Sequence, residues 1–201
     1  MKVVIDTNSL LSLVRYYLPF DKKFTLYNFI KKKIAGGEII LIDKILEECE
    51  YLSKGLVIKS LDYLTDKSFL KSSKLPIKTE FILAPSPGKF LRLVDNQFVN
   101  GVVRNKLTDV EYENRKNSFL ESPDMKLILY YLNLKKDLPF DEVLLVTEES
   151  EESNDSKIFK KIPSICRVLE IETVTLPKLL DKYEGIDFEF KQNLYLTRTV
   201  L

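Results

Sequence analysis

The sequence predicts a three-layer α/β/α fold, in which helices cover both faces of a central, mainly parallel sheet. Short apolar, β-branched runs recur along the chain, and segments with helical spacing of apolar residues alternate with them. Strands that alternate with helices are typical of parallel sheets. The length of 201 residues fits one domain, or one domain with a sizeable insertion.

Four apolar runs are predicted to be the strands of this sheet. The first stops at an acid, Asp6, and the third is followed by Glu148 and Glu149. A fifth short strand is predicted over 80–83. The four main runs are residues 2–5 (KVVI), 38–42 (EIILI), 142–147 (EVLLVT) and 171–176 (IETVTL).

Helices are predicted between these strands. Residues 6–9 (DTNS) offer several caps for a helix that begins near Leu10, and a pair of glycines, Gly36 and Gly37, ends another helix. The remaining predicted helices span 22–35, 43–52, 162–169 and 177–183, with one more that opens at Pro123.

The middle of the chain is less regular. We predict a single domain over 1–201, with a mostly helical elaboration at about 54–120. The tail, 186–201, carries apolar residues that its pattern does not assign to an element.

Composition excludes several kinds of site. The chain has no histidine, which removes Ser-His-Asp triads, Cys-His dyads and histidine-bound zinc. Its two cysteines, Cys49 and Cys166, lie within apolar helical patterns and are predicted to be buried and unpaired. No signal sequence or membrane span is expected, so we predict a cytoplasmic protein.

Four acids fall where a ligand of a parallel sheet is expected, beyond the carboxyl ends of the strands. Asp6 and Glu149 follow two strands, while Glu48 and Asp124 lie early in helices. Four carboxylates in one pocket repel one another unless cations neutralise them, which predicts a site for a hard divalent cation.

Each acid also has a purely structural explanation. Asp6 is a suitable helix cap, and Asp124 suits the start of a helix dipole. Glu48 lies in the charged run 47–50, with Glu47 as the alternative ligand, and Glu149 lies in an acidic stretch with Glu148 as its alternative. The ordered set of four is more specific than any one member.

The motifs that hold these acids resemble those of the PIN-domain nuclease superfamily. Residues 3–11 (VVIDTNSLL) are similar to its first motif, and 43–49 (DKILEEC) to its second. Asp124 with the following apolar pair is similar to the third. Residues 146–149 (VTEE) are similar to the fourth, with glutamate in place of the usual aspartate.

A narrower resemblance covers residues 161–166 (KIPSIC), which are similar to a Lys-Ile-Pro-x-x-Cys motif in an uncharacterised PIN-like family. The likeness as a whole covers roughly 1–52 and 120–180.

This resemblance implies a metal-dependent ribonuclease that cleaves single-stranded RNA. Asp6, Glu48, Asp124 and Glu149 would hold one or two Mg²⁺ or Mn²⁺ ions, with Asn8 and Thr147 hydrogen-bonded to the carboxylates. It also implies the toxin role of a toxin–antitoxin pair, an antitoxin-like protein partner and a homodimer.

Cations that would neutralise RNA are scattered along the sequence, and they include Lys22, Lys23 and Lys157. In the middle region, Arg92, Arg104 and Lys106 flank Phe90 and Phe98. Bases stack on such aromatic side chains, although a core phenylalanine under an ordinary helix surface explains the same pattern.

Two other functions fit the sequence. One is a catalytically silent PIN-like scaffold that binds RNA or a protein partner, which the glutamate at 149 favours. The other is a different metal-dependent phosphohydrolase, although the lysine and the Asp-Asp pair usual in that class are not evident. A nucleoside-triphosphate site is not expected, because no glycine-rich phosphate loop is present.

Overall fold

A parallel sheet of four strands organises the molecule. The computed structural model describes residues 1–150 and 157–184. The strands lie in the order β2-β1-β3-β4 and every pair is parallel. They are β1 (Lys2–Ile5), β2 (Ile39–Ile40), β3 (Val143–Val146) and β4 (Thr173–Val174). Helices flank the sheet, so the predicted three-layer α/β/α fold is confirmed.

Eleven α-helices occur in the described ranges. They are α1 (Thr7–Ser12), α2 (Thr25–Ala35), α3 (Asp43–Tyr51), α4 (Leu56–Ser60), α5 (Lys67–Ser72), α6 (Pro87–Leu93), α7 (Gly101–Arg104), α8 (Asp109–Leu120), α9 (Pro123–Asp137), α10 (Ile162–Val168) and α11 (Leu176–Lys182). None of these described helices is both long and apolar enough to cross a membrane. The predicted tail, 186–201, lies outside the described residues.

The predicted fifth strand at 80–83 is wrong. The chain instead pairs three residues earlier, where Ile77 forms a single parallel bridge with Ile42. Thr79 then bonds to the buried Asp43 through its N–H (3.1 Å) and its hydroxyl (2.5 Å), which turns the chain away. Phe81 is consequently 87% exposed, so the apolar run has no sheet to cover it.

The middle region is built mainly from short helices, α4 to α8. The polar segment near 107–117 forms α8 because its start is capped from both sides. The Thr108 hydroxyl accepts from the Glu111 N–H, and the Glu111 carboxylate accepts from the Thr108 N–H. This reciprocal capping box offsets the low hydrophobicity of the helix.

The core lies on both faces of the two central strands. Val3, Val4, Leu144 and Leu145 are essentially inaccessible, as expected for strands with helices on either side. Cys49 and Cys166 are buried and free, as predicted.

Irregular turns follow two helices that begin at the carboxyl edge of the sheet. After α1 the chain makes a π-helical turn at Leu13–Tyr17 and a 3₁₀ turn at Leu18–Phe20. After α3, three successive residues, Ser53, Lys54 and Gly55, have positive φ. A Cβ at Gly55 would lie 2.9 Å from a backbone oxygen, so glycine is required there.

Candidate metal centre

Asp6 lies at the end of β1 and serves two purposes. Its Oδ1 accepts from the Ser9 N–H at 2.6 Å, which caps α1, and its Oδ2 accepts from the Thr147 hydroxyl at 2.7 Å. Asp6 is 2% exposed, and this burial raises its pKa to about 6 despite the hydrogen bonds from Ser9 and Thr147. The cap and the candidate ligand are therefore the same residue.

Thr147 makes the contact that was predicted for it. It follows β3, adjacent to β1, so parallel pairing brings its side chain to Asp6 across 141 positions of sequence. Asn8, the other predicted hydrogen-bonding residue, is exposed and bonds to no described carboxylate. Its position on α1 turns it to solvent, whereas Thr7 beside it turns inward.

Thr7 is a contact that the sequence analysis did not find. Its hydroxyl donates to Glu48 Oε2 at 2.5 Å, which joins the start of α1 to α3. The first motif could have indicated that Thr7 lies near the acids, because a helix that begins directly after Asp6 places its first side chain at the same edge of the sheet. Which helix would face Thr7 depends on packing.

Glu48 and Glu47 occupy different faces of α3. Glu48 is half-buried against Thr7, and its charge contributes, with burial, to raising the pKa of Cys49 to about 12. Glu47 is exposed and forms an ion pair with Lys44 at 2.8 Å. The structure thus turns Glu48 toward the cluster and Glu47 to solvent.

Asp124 is the second residue of α9, and its carboxylate is not the helix cap. The Ser122 hydroxyl takes that role by accepting from the Met125 N–H at 3.3 Å. No hydrogen bond from a described residue reaches the Asp124 carboxylate. Capping by Ser122 therefore leaves Asp124 available for another partner.

The pKa of Asp124 shows which acids surround it. Burial, followed by the charges of Glu149, Glu48 and Asp6 in that order, raises this pKa from 3.8 to about 7. Lys157 acts in the opposite direction. Acids from four separate segments therefore lie within electrostatic reach of one another, at the carboxyl edge of the sheet.

The carboxylates of Glu149 and Glu148 bond to the starts of two different helices. Glu148 Oε1 accepts from the Leu176 N–H at 2.6 Å, at the start of α11. Glu149 Oε2 accepts from the Ile162 N–H at 3.3 Å, at the start of α10, and its charge acts on both Asp124 and Asp6. Glu149 is therefore the member of the pair that belongs to the cluster.

This arrangement gives a physical reason for the segment 161–166 (KIPSIC). Pro163 suits the first turn of α10, where a missing N–H costs nothing, and Ile162 supplies the N–H that holds Glu149. Cys166, one turn later, is buried, and its pKa is raised to about 12 by burial and by the charge of Asp124. The segment thus contacts Glu149 and lies within electrostatic reach of Asp124.

The donor set has the chemistry of a hard-cation site. All four side chains supply carboxylate oxygens, which suit Mg²⁺ and Mn²⁺, and a bound cation would relieve the burial and repulsion that raise the pKa values of Asp6 and Asp124. Within residues 1–150 and 157–184, no group of three or more Asp, Glu or Cys side chains is arranged so that it could hold a metal ion. Three of the four carboxylates are instead engaged by Thr7, Ser9, Thr147 and Ile162.

Of the two explanations for the aromatic residues of the middle region, base stacking or the core, the structure supports the core. Phe90 and Phe98 are 6% and 0% exposed and pack against each other edge to face, with ring centroids 5.7 Å apart. They are core residues, which was the structural explanation of their pattern. Arg104 lies over Tyr112 and forms an ion pair with Asp109.

Comparison with known proteins adds no family to this picture. No family model, curated protein or solved structure matches the chain. Membership of the PIN-like superfamily therefore stays a prediction from the motifs.

Proposed function

We propose that the protein is a metal-dependent endoribonuclease that hydrolyses phosphodiester bonds of single-stranded RNA. The observation that carries the proposal is the position of Asp124, because the charges of Glu149, Glu48 and Asp6 contribute to raising the pKa of its carboxyl. The choice of RNA rests on the resemblance of the four acidic motifs to PIN-domain nucleases.

Asp6, Glu48, Asp124 and Glu149 would hold one or two Mg²⁺ or Mn²⁺ ions. Such a cation lowers the pKa of a bound water and stabilises charge on the phosphate oxygens. Ser9 and Thr147 hold the two oxygens of Asp6, and Thr7 holds one oxygen of Glu48, so both carboxylates have a defined direction in which to offer a remaining lone pair to a cation. Hydrogen bonds of this kind orient metal ligands and strengthen binding.

Lys157 is the cation that acts on the cluster from the described part of the chain, since its charge lowers the pKa of Asp124. An exposed ammonium at that place would contact a substrate phosphate as it approaches the acids. Lys157 is thus assigned to substrate attraction.

The test is cleavage of end-labelled single-stranded RNA with Mn²⁺ or Mg²⁺, compared with EDTA. We expect metal-dependent cutting by the parent protein and its loss in Asp6→Asn and in Asp124→Asn. Glu47→Gln is the matched control, because Glu47 lies on the same helix as Glu48 but faces solvent.

Other outcomes favour the other functions. A folded protein that neither binds metal nor cuts RNA would be a silent scaffold. Metal-dependent release of phosphate from a small phosphate ester, without RNA cleavage, would indicate a different phosphohydrolase. The antitoxin-like partner and the homodimer are further proposals, and co-purification and light scattering test them.

A further inference from the structure

An exposed segment that follows α1 combines aromatic and basic side chains. Residues 15–24 (RYYLPFDKKF), here called the aromatic–basic segment, form the π-helical and 3₁₀ turns and the loop before α2. Tyr16 and Phe24 are each 64% exposed. Single exposed aromatic side chains also occur elsewhere, at Phe81 and Phe140, so the feature that distinguishes this segment is exposed rings together with several cations.

Cations surround these aromatic side chains. Arg15, Lys22 and Lys23 are exposed members of the segment. Lys54 joins them, because the Arg15 guanidinium donates to the Ser53 hydroxyl at 2.6 Å, which ties the segment to the left-handed turn after α3. No described carboxylate forms an ion pair with any of these four cations.

The segment contains one acid, Asp21, and its carboxylate bonds to backbone N–H groups instead of to these cations. Asp21 Oδ1 accepts from the Thr25 N–H and its Oδ2 accepts from the Tyr27 N–H, both at 2.8 Å. Both oxygens of Asp21 are therefore engaged at the start of α2, and the outward charge of the segment is positive.

Two observations place the segment on the same side of the sheet as the acids. α2 ends near the amino end of β1, where Lys2 Nζ donates to the Gly37 carbonyl. Because its 11 residues span about 16 Å, the start of α2 and Phe24 lie well away from that end. Tyr17 has its pKa raised by burial and by the charge of Glu148, which follows β3 at the carboxyl edge.

A cavity opens beside the segment. It has a volume of about 460 Å³, which is within the range of small-ligand sites, and Phe24, Tyr27, Lys59 and Asp62 contribute to its walls. Lys59 donates to the Lys54 carbonyl at 2.8 Å, so the cavity and the basic residues form one continuous surface.

We propose that the aromatic–basic segment binds single-stranded RNA on its way to the carboxylate cluster. Bases stack on Tyr16 and Phe24, and phosphates contact Arg15, Lys22, Lys23 and Lys54. The inference rests on the proposed function, since it names the surface that presents RNA to the same four acids.

The chemistry favours RNA over a protein partner. Stacking platforms interleaved with cations are typical of proteins that bind single strands without strong sequence preference. Protein interfaces are enriched in aromatic residues but depleted in lysine, whereas this surface carries Lys22, Lys23, Lys54 and Lys59.

Fluorescence anisotropy with a labelled single-stranded oligouridine tests the proposal. Binding is measured in EDTA, so that it does not depend on cleavage. We expect the parent to bind, and Tyr16→Ala and Phe24→Ala each to weaken binding about tenfold. Tyr16→Phe should restore it, because the ring alone provides stacking.

A second readout separates the phosphate contacts from stacking. The double variant Lys22→Gln, Lys23→Gln should make the slope of log affinity against log salt shallower by about 1.4, because each phosphate contact to a single strand contributes about 0.7. The controls are Phe140→Ala and Lys136→Gln, which alter exposed residues in and before the turn that leads into the amino end of β3.

The results distinguish this proposal from the proposed function. A parent that binds no single-stranded RNA, or segment variants that bind as tightly as the parent, would overturn the segment as the RNA surface. Loss of binding in the segment variants supports it even if the parent cuts no RNA in Mn²⁺. A protein partner whose binding the same variants abolish, with RNA binding unchanged, would also overturn it.

Discussion

At the scale of single residues, the central feature is a pair of aspartates that are difficult to ionise. Burial raises the pKa of Asp6 to about 6 and of Asp124 to about 7, from an ordinary value of 3.8. Such perturbed carboxyls at the ligand-binding edge of a sheet are typical of functional sites. The fold retains them although ionising either carboxyl costs stability.

This cost predicts how stability depends on pH in EDTA. Both pKa values are raised, so between about pH 4 and pH 7 the folded state holds more protons than the unfolded state, and stability falls as pH rises. We expect Asp124→Asn to be more stable than the parent by roughly 1 to 4 kcal/mol at pH 8, with the difference vanishing near pH 4.

Urea unfolding at the two pH values measures this difference. Asp137→Asn is the control, since Asp137 is an exposed aspartate on the same helix, α9. A parent that is as stable as Asp124→Asn at pH 8 would show that ionisation of Asp124 does not lower the free energy of unfolding.

The Thr147 hydroxyl offers a second prediction at this scale. Thr147→Val removes the hydrogen bond that the hydroxyl donates to Asp6 Oδ2 and the one that it accepts from the Glu149 N–H, and should cost about 1 to 2 kcal/mol of unfolding free energy. It should also weaken Mn²⁺ binding about tenfold, because the carboxylate loses its orientation.

Thr79→Val is the matched control for this change. It breaks the same kind of buried threonine–aspartate hydrogen bond, to Asp43, at a place away from the four acids. Calorimetric titration should show unchanged Mn²⁺ binding for this variant. Equal losses of Mn²⁺ affinity in both variants would mean that Thr147 acts only through stability.

At the scale of elements, helix packing decides which acid of each pair joins the cluster. α3 turns Glu48 toward Thr7 and Glu47 toward Lys44, while the starts of α10 and α11 draw Glu149 and Glu148 to different N–H groups. Sequence spacing alone left both pairs open. Their separation depends on contacts between distant segments.

The two pairs make a symmetric prediction for RNA cleavage. Glu48→Gln and Glu149→Gln should lower the rate about a hundredfold or more, since a lost metal ligand removes several kcal/mol of transition-state stabilisation. Glu47→Gln and Glu148→Gln should cut at nearly the parent rate. Glutamine at 148 keeps an oxygen to accept from the Leu176 N–H.

The reverse pattern, with activity lost on changing Glu47 or Glu148, would move the site to the other face of α3 or to the start of α11. Circular dichroism of each variant confirms that the comparison is between folded proteins.

At the scale of the whole molecule, local patterns predicted the layers but not the details of assembly. The central strands were predictable because β1 and β3 are continuous apolar runs buried on both faces. The run at 80–83 is similarly apolar, yet Phe81 is exposed. The Asp43 carboxylate accepts a hydrogen bond from the Thr79 N–H, and the chain leaves the sheet at that point.

The candidate site was likewise predictable from local patterns only in part. Asp6 and the Glu148–Glu149 pair could be placed from sequence, because each follows a strand whose carboxyl end lies at one edge. The Thr7 contact, the exposure of Asn8 and the exposed aromatic–basic segment could not, since each depends on which face of a helix or turn meets solvent. Periodicity indicates a face but not its neighbour.

The central claim is that four carboxylates from four segments bind one shared divalent cation site. Calorimetric titration of Mn²⁺ into the purified protein at pH 8 tests it most directly, with Asp124→Asn and Glu47→Gln alongside. We predict saturable binding by the parent and by Glu47→Gln, and binding weaker by about tenfold or more in Asp124→Asn. A folded parent that binds no Mn²⁺, or an Asp124→Asn variant that binds it as tightly as the parent, would contradict the account.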